Sequence, residues 1–263
     1  MTAAFSLLGG CEKLKSKLDS IRHPHRAAKN ALPARPSRAP VSGPRLAIVL
    51  DDLAGDDSAA SEGAIFALHY PLTLSVLPFH AHSAEIAAQA HRRGYLVMLH
   101  LPMQAVGSEK PESNELRRGM SSSQIAKELN GMLAAVPYAA GVNNHQGSLA
   151  TSDEQLMSEL MPLLRDRKLF FIDSRTAGNT VAFDTARRDG VRAAFRNVPF
   201  LDDVREVTAI RHQLALAMKD AKEKGEAIAI GHPHPETLRA LAEMLPEVQA
   251  NGVQLVYASD LVH

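Results

Sequence analysis

From residue 46 onward the chain alternates between short apolar runs and longer mixed ones, with brief punctuation between them. Strands are predicted at 46–50, 73–77, 95–101, 139–143, 169–172, 192–196, 227–230 and 254–257. Helices are predicted between them at 58–68, 83–93, 121–135, 153–165, 180–187, 206–224 and 235–249. The first run, Leu46 to Leu50, is apolar without alternation, the signature of a strand buried on both faces of a parallel sheet. Ser121 and Gln124 have the capping-box spacing, and Thr151 or Ser152 precedes an acidic first turn at Asp153 and Glu154. Gly94, Gly190, Gly225 and Gly252 fall just before strands, where a helix C-cap glycine belongs. Seven or eight βα repeats of this kind imply an α/β fold with a parallel sheet, closed as a barrel or open and doubly wound.

Residues 1–44 do not share this pattern. A short apolar start gives way at Glu12 to a basic stretch rich in Pro and Ala, expected to be a flexible linker before a single domain at 45–263. Leu8-Gly9-Gly10-Cys11 resembles the lipobox at which bacterial lipoproteins are lipidated. That reading predicts a membrane tether through Cys11 and a periplasmic or cell-envelope location. An untidy N-terminus, or a start placed too far downstream, is the alternative.

Composition narrows the function classes. Lys plus Arg and Asp plus Glu balance at 29 each, so no global charge favours nucleic acid as a partner. A single Cys excludes an internal disulfide and a Cys-based zinc site. Trp is absent, which disfavours an aromatic groove for a long sugar chain. No GxGxxG or Walker A motif marks a nucleotide site, and no apolar run is long enough to cross a bilayer. Oligomeric state is left open.

The candidate chemistry lies at strand C-termini, where a βα barrel collects its catalytic loops. Strand 1 ends in Asp51-Asp52, strand 3 in His100, strand 4 in Asn143-Asn144-His145 followed by Ser148, strand 5 in Asp173-Ser174-Arg175, and strand 7 in His232-Pro233-His234. Two adjacent carboxylates at a buried strand end need a cation, hydrogen-bond donors or water. They are either a metal ligand beside a base or the solvated start of a βα loop. Imidazole and carboxylate together are the ligand set of Zn²⁺ and similar ions. Asp202-Asp203 is a rival acidic pair, and helix capping is its preferred role because a helix follows. His23, His25, His69, His80, His82, His91, His212 and His263 lie away from strand C-ends and are read as structural or solvated.

In order and spacing, IVLDD, MLHLPM, GVNNHQGS, FFIDSRT and IAIGHPHPET resemble the divergent polysaccharide deacetylase family, the YibQ-like branch of the NodB-type superfamily. The resemblance covers Arg45 to the C-terminus. It implies a deformed (β/α)7 barrel and metal-dependent removal of N- or O-acetyl groups from an acetylated glycan. It casts Asp51 as general base, Asp52 and His100 as ligands of a divalent metal expected to be Zn²⁺, and His232 as general acid. His234 is an alternative acid or additional ligand. Where the superfamily places its second histidine ligand this chain has Gln104, so His145 is the replacement candidate. Asp173 would orient a histidine or hold Arg175. Asn143, Asn144, Ser148 and Arg175 are candidates for contacts to substrate or oxyanion, or for support around the metal. A non-catalytic barrel serving as an envelope binding or assembly factor is the competing class.

Overall fold

A computed structural model describes residues 43–263 except 56–60, 108–110 and 113. The expected linker as far as residue 42, the segment resembling a lipobox and Cys11 therefore lie outside the described residues. Strands β1 (Arg45–Leu53), β2 (Thr73–Val76), β3 (Leu96–Met103), β4 (Gly141–Gln146), β5 (Phe170–Asp173), β6 (Ala193–Phe195), β7 (Glu226–Gly231) and β8 (Gln254–Val256) form one eight-stranded sheet. Every pairing is parallel, in the order β6-β5-β4-β3-β2-β1-β7. The described helices are α1 (Glu62–Phe66), α2 (Ser83–Arg92), α3 (Ser122–Ala135), α4 (Glu154–Asp166), α5 (Ala182–Arg188), α6 (Val207–Lys224) and α7 (Pro235–Ala250).

The sheet bends almost into a closed barrel. Along one edge of β1, residues 45–50 pair with β7. The other edge is shared: β8 takes 45–47, and β2 takes over from Val49. Among the described residues no strand ladder joins β6 to β7. Instead the segment after β6 bridges them, with Asn197 N–H donating to the Ile228 carbonyl at 2.9 Å and Leu201 N–H to the Ile230 carbonyl at 2.8 Å.

Side-chain parity divides the core into two layers, since successive residues of a strand face opposite ways. Leu46, Ile48, Leu50, Val97, Leu99 and Phe171 point outward into the layer beneath the helices. Ala47, Val49, Leu96, Met98, Phe170, Ile172, Ile228 and Ile230 fill the barrel interior. Continuing the inward parity toward the strand C-termini reaches Asp51, Ser75, His100, Asn143, His145, Ser174 and His232. The barrel axis is thus apolar below and polar at its upper rim.

Local signals fix several helix starts. The Ser121–Gln124 capping box forms as its spacing predicts. Asp153 itself caps α4, accepting from Leu156 N–H at 2.8 Å, rather than Thr151 or Ser152. Gly225, at φ 88°, ends α6 in the left-handed conformation.

Candidate functional site

A regular β1 would send Asp51 and Asp52 to opposite faces. The pairing register with β2 shifts between Leu50 and Leu53, and Asp52 sits at φ 58°. This extra residue is a β-bulge, a device that re-aims side chains at sites. It swings Asp52 toward the rim beside Asp51, and aspartate tolerates the left-handed region better than most residues.

Asp51 is 1% exposed and depends on Asn143. The Asn143 Nδ2 group donates to both Asp51 oxygens, at 2.9 and 3.0 Å, and to Ser174 Oγ at 3.1 Å. That fixes the amide orientation, so Asn143 Oδ1 accepts from Ser75 Oγ and from His100 Nδ1 at 2.9 Å. His100 must then carry its neutral-form proton on Nδ1, leaving the Nε2 lone pair free to face the aspartates. Burial pushes the Asp51 carboxyl above its usual range, against the opposing pull of His100 and His232. Burial alone would lower His100, but Asp51 and then Asp52 overcome it and raise the imidazole. Two aspartates here call for positive charge, as imidazolium or as a cation.

Asp52 is the point of convergence. Its Oδ1 is a buried oxygen without a hydrogen-bond partner, yet His100 Nε2 lies 3.1 Å away and His145 Nδ1 2.9 Å away. Burial raises this carboxyl, but the two imidazoles outweigh it and hold it well below the usual carboxylate range. Ligand atoms of Asp52, His100 and His145 lie within 4.8 Å of one another. One carboxylate and two imidazoles around an otherwise unsatisfied oxygen fit a divalent cation, and three protein ligands are what catalytic zinc sites use. The β3–β4 register explains how His145 arrives: His100 sits opposite Asn143, and Pro102 opposite His145. Gln104 is turned elsewhere, its Oε1 accepting from Arg118 N–H at 3.1 Å.

His232 approaches from β7, its Nε2 3.8 Å from Asp52 Oδ2. Asp202 holds it through Nδ1 at 2.8 Å and through its backbone N–H at 2.6 Å, while Thr237 Oγ1 donates to the same carboxylate at 2.8 Å. Burial would depress His232, but the hydrogen bond and charge of Asp202 push it up to about 9. Gly231 permits this approach, because a Cβ there would meet Leu201 Cβ at 3.1 Å and Asp202 Oδ2 at 3.2 Å. Asp202, His232 and His234 also form a compact group of ligand type, but Asp202 is already committed to its donors. A cavity of about 390 Å³ is lined by Asp52, His145 and His232, together with His80, Glu112 and Arg205.

Several expectations need correction. Asp173 is not part of the cluster: it has outward parity, and its oxygens accept from Arg175 N–H, Thr180 Oγ1 and Phe183 N–H. It does hold Arg175, through the backbone. The carboxylate that orients a histidine is Asp202, not a helix cap, because α6 begins only at Val207 with Glu206 at the cap position. Asn144 has the same outward parity as Asp173, and its side chain ties Ser174 N–H, the Gln146 carbonyl and Thr176 together. Ser148 Oγ accepts from Val106 N–H, away from the aspartates. His234 lines the cavity from the N-cap position of α7. Ser75 and Ser174 were missed, although inward parity on β2 and beyond β5 marks both.

Residues 48–262 match the family model described as divergent polysaccharide deacetylase. The chain is 39% identical over 225 residues to the uncharacterised protein YibQ of Escherichia coli K12, covering 86% of this chain and 69% of that one. A crystal structure of an uncharacterised Agrobacterium tumefaciens C58 protein superposes with a TM-score of 0.80 at 22% identity, covering 85% and 91% of the two chains. More distant likenesses, of fold alone, include a peptidoglycan N-acetylglucosamine deacetylase domain from Eubacterium rectale, with a TM-score of 0.53 at 13% identity over 83% and 90% of the chains. Another is a CE4 family pseudoenzyme from Bacillus anthracis, with a TM-score of 0.56 at 12% identity over 84% and 66%. With the family match spanning nearly all of the barrel, the chain belongs to the divergent polysaccharide deacetylase family.

Proposed function

We propose that this protein is a metal-dependent hydrolase that removes N- or O-acetyl groups from an envelope carbohydrate. The observation that supports it is Asp52 Oδ1, a buried oxygen without a hydrogen bond between two imidazole nitrogens, on the same cavity as His232. Asp52, His100 and His145 would hold a divalent ion, for which Zn²⁺ suits the donor set. When bound, that ion supplies Lewis acidity, acidifying water and polarising the acetyl carbonyl. Asp51, oriented by Asn143, takes the proton of the attacking water. His232, kept protonated by Asp202, donates a proton to the departing sugar nitrogen or oxygen. Water adds across the acyl bond, giving acetate and a free amine or alcohol. Lipidation at Cys11 would place this chemistry at the cell envelope.

A second reading, a barrel that binds glycan without turnover, draws on the 1% exposure of Asp51. Metal analysis of the purified protein, combined with acetate release from acetylated oligosaccharides, separates the two. Asp51→Asn should retain metal and lose turnover by about a hundredfold or more, the scale of general-base catalysis. His145→Ala should lose both. Turnover unaltered by Asp51→Asn would falsify the assignment of the base, and full metal content without acetate release favours the binding barrel.

A further inference from the structure

A second cavity, about 320 Å³, lies beside the first and shares Asp203 with it. It is walled by Arg175, Arg196 and the 197–199 segment. The two guanidiniums there are treated very differently. Arg196 is spent on the backbone: Nε donates to the Ser174 carbonyl at 2.8 Å, Nη1 to Val198 and Nη2 to Arg175. It also lies 3.9 Å over the Phe200 ring, whose centroid is 5.5 Å from that of His232. Arg175 is exposed and stands 3.5 Å over the Phe195 ring. Among the described residues its side chain has no hydrogen bond or ion pair, although its backbone is held at φ 50°. A left-handed conformation is unfavourable for a long side chain, and such outliers persist where surrounding structure imposes them. Here Asp173 imposes it through the Arg175 N–H, and Arg196 through the Arg175 carbonyl. The result is a planar donor fork, stacked and aimed, with its hydrogen-bonding edge unused, in a cavity adjoining the proposed hydrolytic centre.

We propose that Arg175 recognises an oxyanion substituent, carboxylate or phosphate, on the glycan whose acetyl group enters the neighbouring cavity. This rests on the hydrolase reading only for the identity of the ligand as a glycan. A guanidinium fork matches both oxyanions in bidentate fashion, and Arg196 adds fixed positive charge behind it. Asp203, at the junction of the two cavities, opposes an anion that is not held by the fork and so sharpens its placement.

Calorimetric titration tests this with three matched N-acetylated oligosaccharides: one carrying a carboxylate, its counterpart reduced to the alcohol, and one carrying a phosphate monoester. The wild-type protein should bind one or both anionic probes about tenfold more tightly than the neutral one, the scale of a charge-assisted pair at a partly exposed site. Which anion is preferred identifies the source. The ratio should fall to about one in Arg175→Gln, recover in part in Arg175→Lys, and widen in Asp203→Asn. Equal binding of all three probes by the wild type overturns the proposal, as does a ratio that survives Arg175→Gln. The wild-type comparison needs no variant to fold. Anion preference without acetate release retains the anion site and removes the hydrolase reading, whereas acetate release without charge preference does the reverse.

Discussion

Asn143 shows how much a single neutral side chain can organise. Its two ends differ in kind, donor toward Asp51 and acceptor toward His100, so one rotamer fixes both a carboxylate and a tautomer. Asp202 does the equivalent for His232 with charge. Replacing it by asparagine removes the strongest raising influence and leaves burial, which lowers an imidazole, against the remaining pull of Asp52 and Asp51. In Asp202→Asn, freed of metal by chelation, the His232 ring should titrate clearly below the wild-type value of about 9, as read by imidazole NMR. The linkage has a sign. A folded value raised to about 9 stabilises the fold fully below about 6.5, and that contribution fades as pH rises through 9. The lowered Asp202 contributes above 3.8 and is lost in acid. The stability gap between wild type and variant should therefore be widest between those limits and narrow as pH rises through 9.

Among the elements, apolar runs and caps in the sequence located the strands and most helix starts to within a few residues. His100 and His145 were legible because each ends or continues an inward-facing strand. What escaped was whatever depends on a local break of period or on a neighbouring element. Nothing in Leu-Asp-Asp-Leu announces the bulge that reunites Asp51 with Asp52. Asp202 precedes a helix and so resembles a cap, and only the adjacency of β7 reveals its partner. Asp173 looked catalytic by position, but parity turns it outward. Gly141 is another case where an element is set by its neighbour: a Cβ there would lie 2.4 Å from ring atoms of Phe170, which fills the barrel interior. Gly141→Ala should thus cost about 1–3 kcal/mol, the usual range for overpacking, measured by denaturant unfolding. An unchanged midpoint would mean that the ring can move aside.

Taken as a whole molecule, the parallel sheet and the rim position of the chemistry follow from the βα alternation, while strand order and closure do not. β6 and β7 are stitched by an irregular segment through a few backbone bonds. β1, by contrast, is paired along both edges. Amide hydrogen exchange should separate these regions, with Asn197 and Leu201 exchanging well before Val49 and Leu50. Matching protection at both would contradict the weakness of the seam.

That stitching has a mechanical consequence. Leu201, which fastens the seam, is followed directly by the carboxylate that grips His232, whereas the proposed cation ligands stand on β1, β3 and β4 at the most firmly laced part of the sheet. Breathing of the wall would slacken the proposed proton donor while leaving the proposed cation cradle undisturbed, so the two halves of the site can keep different clocks.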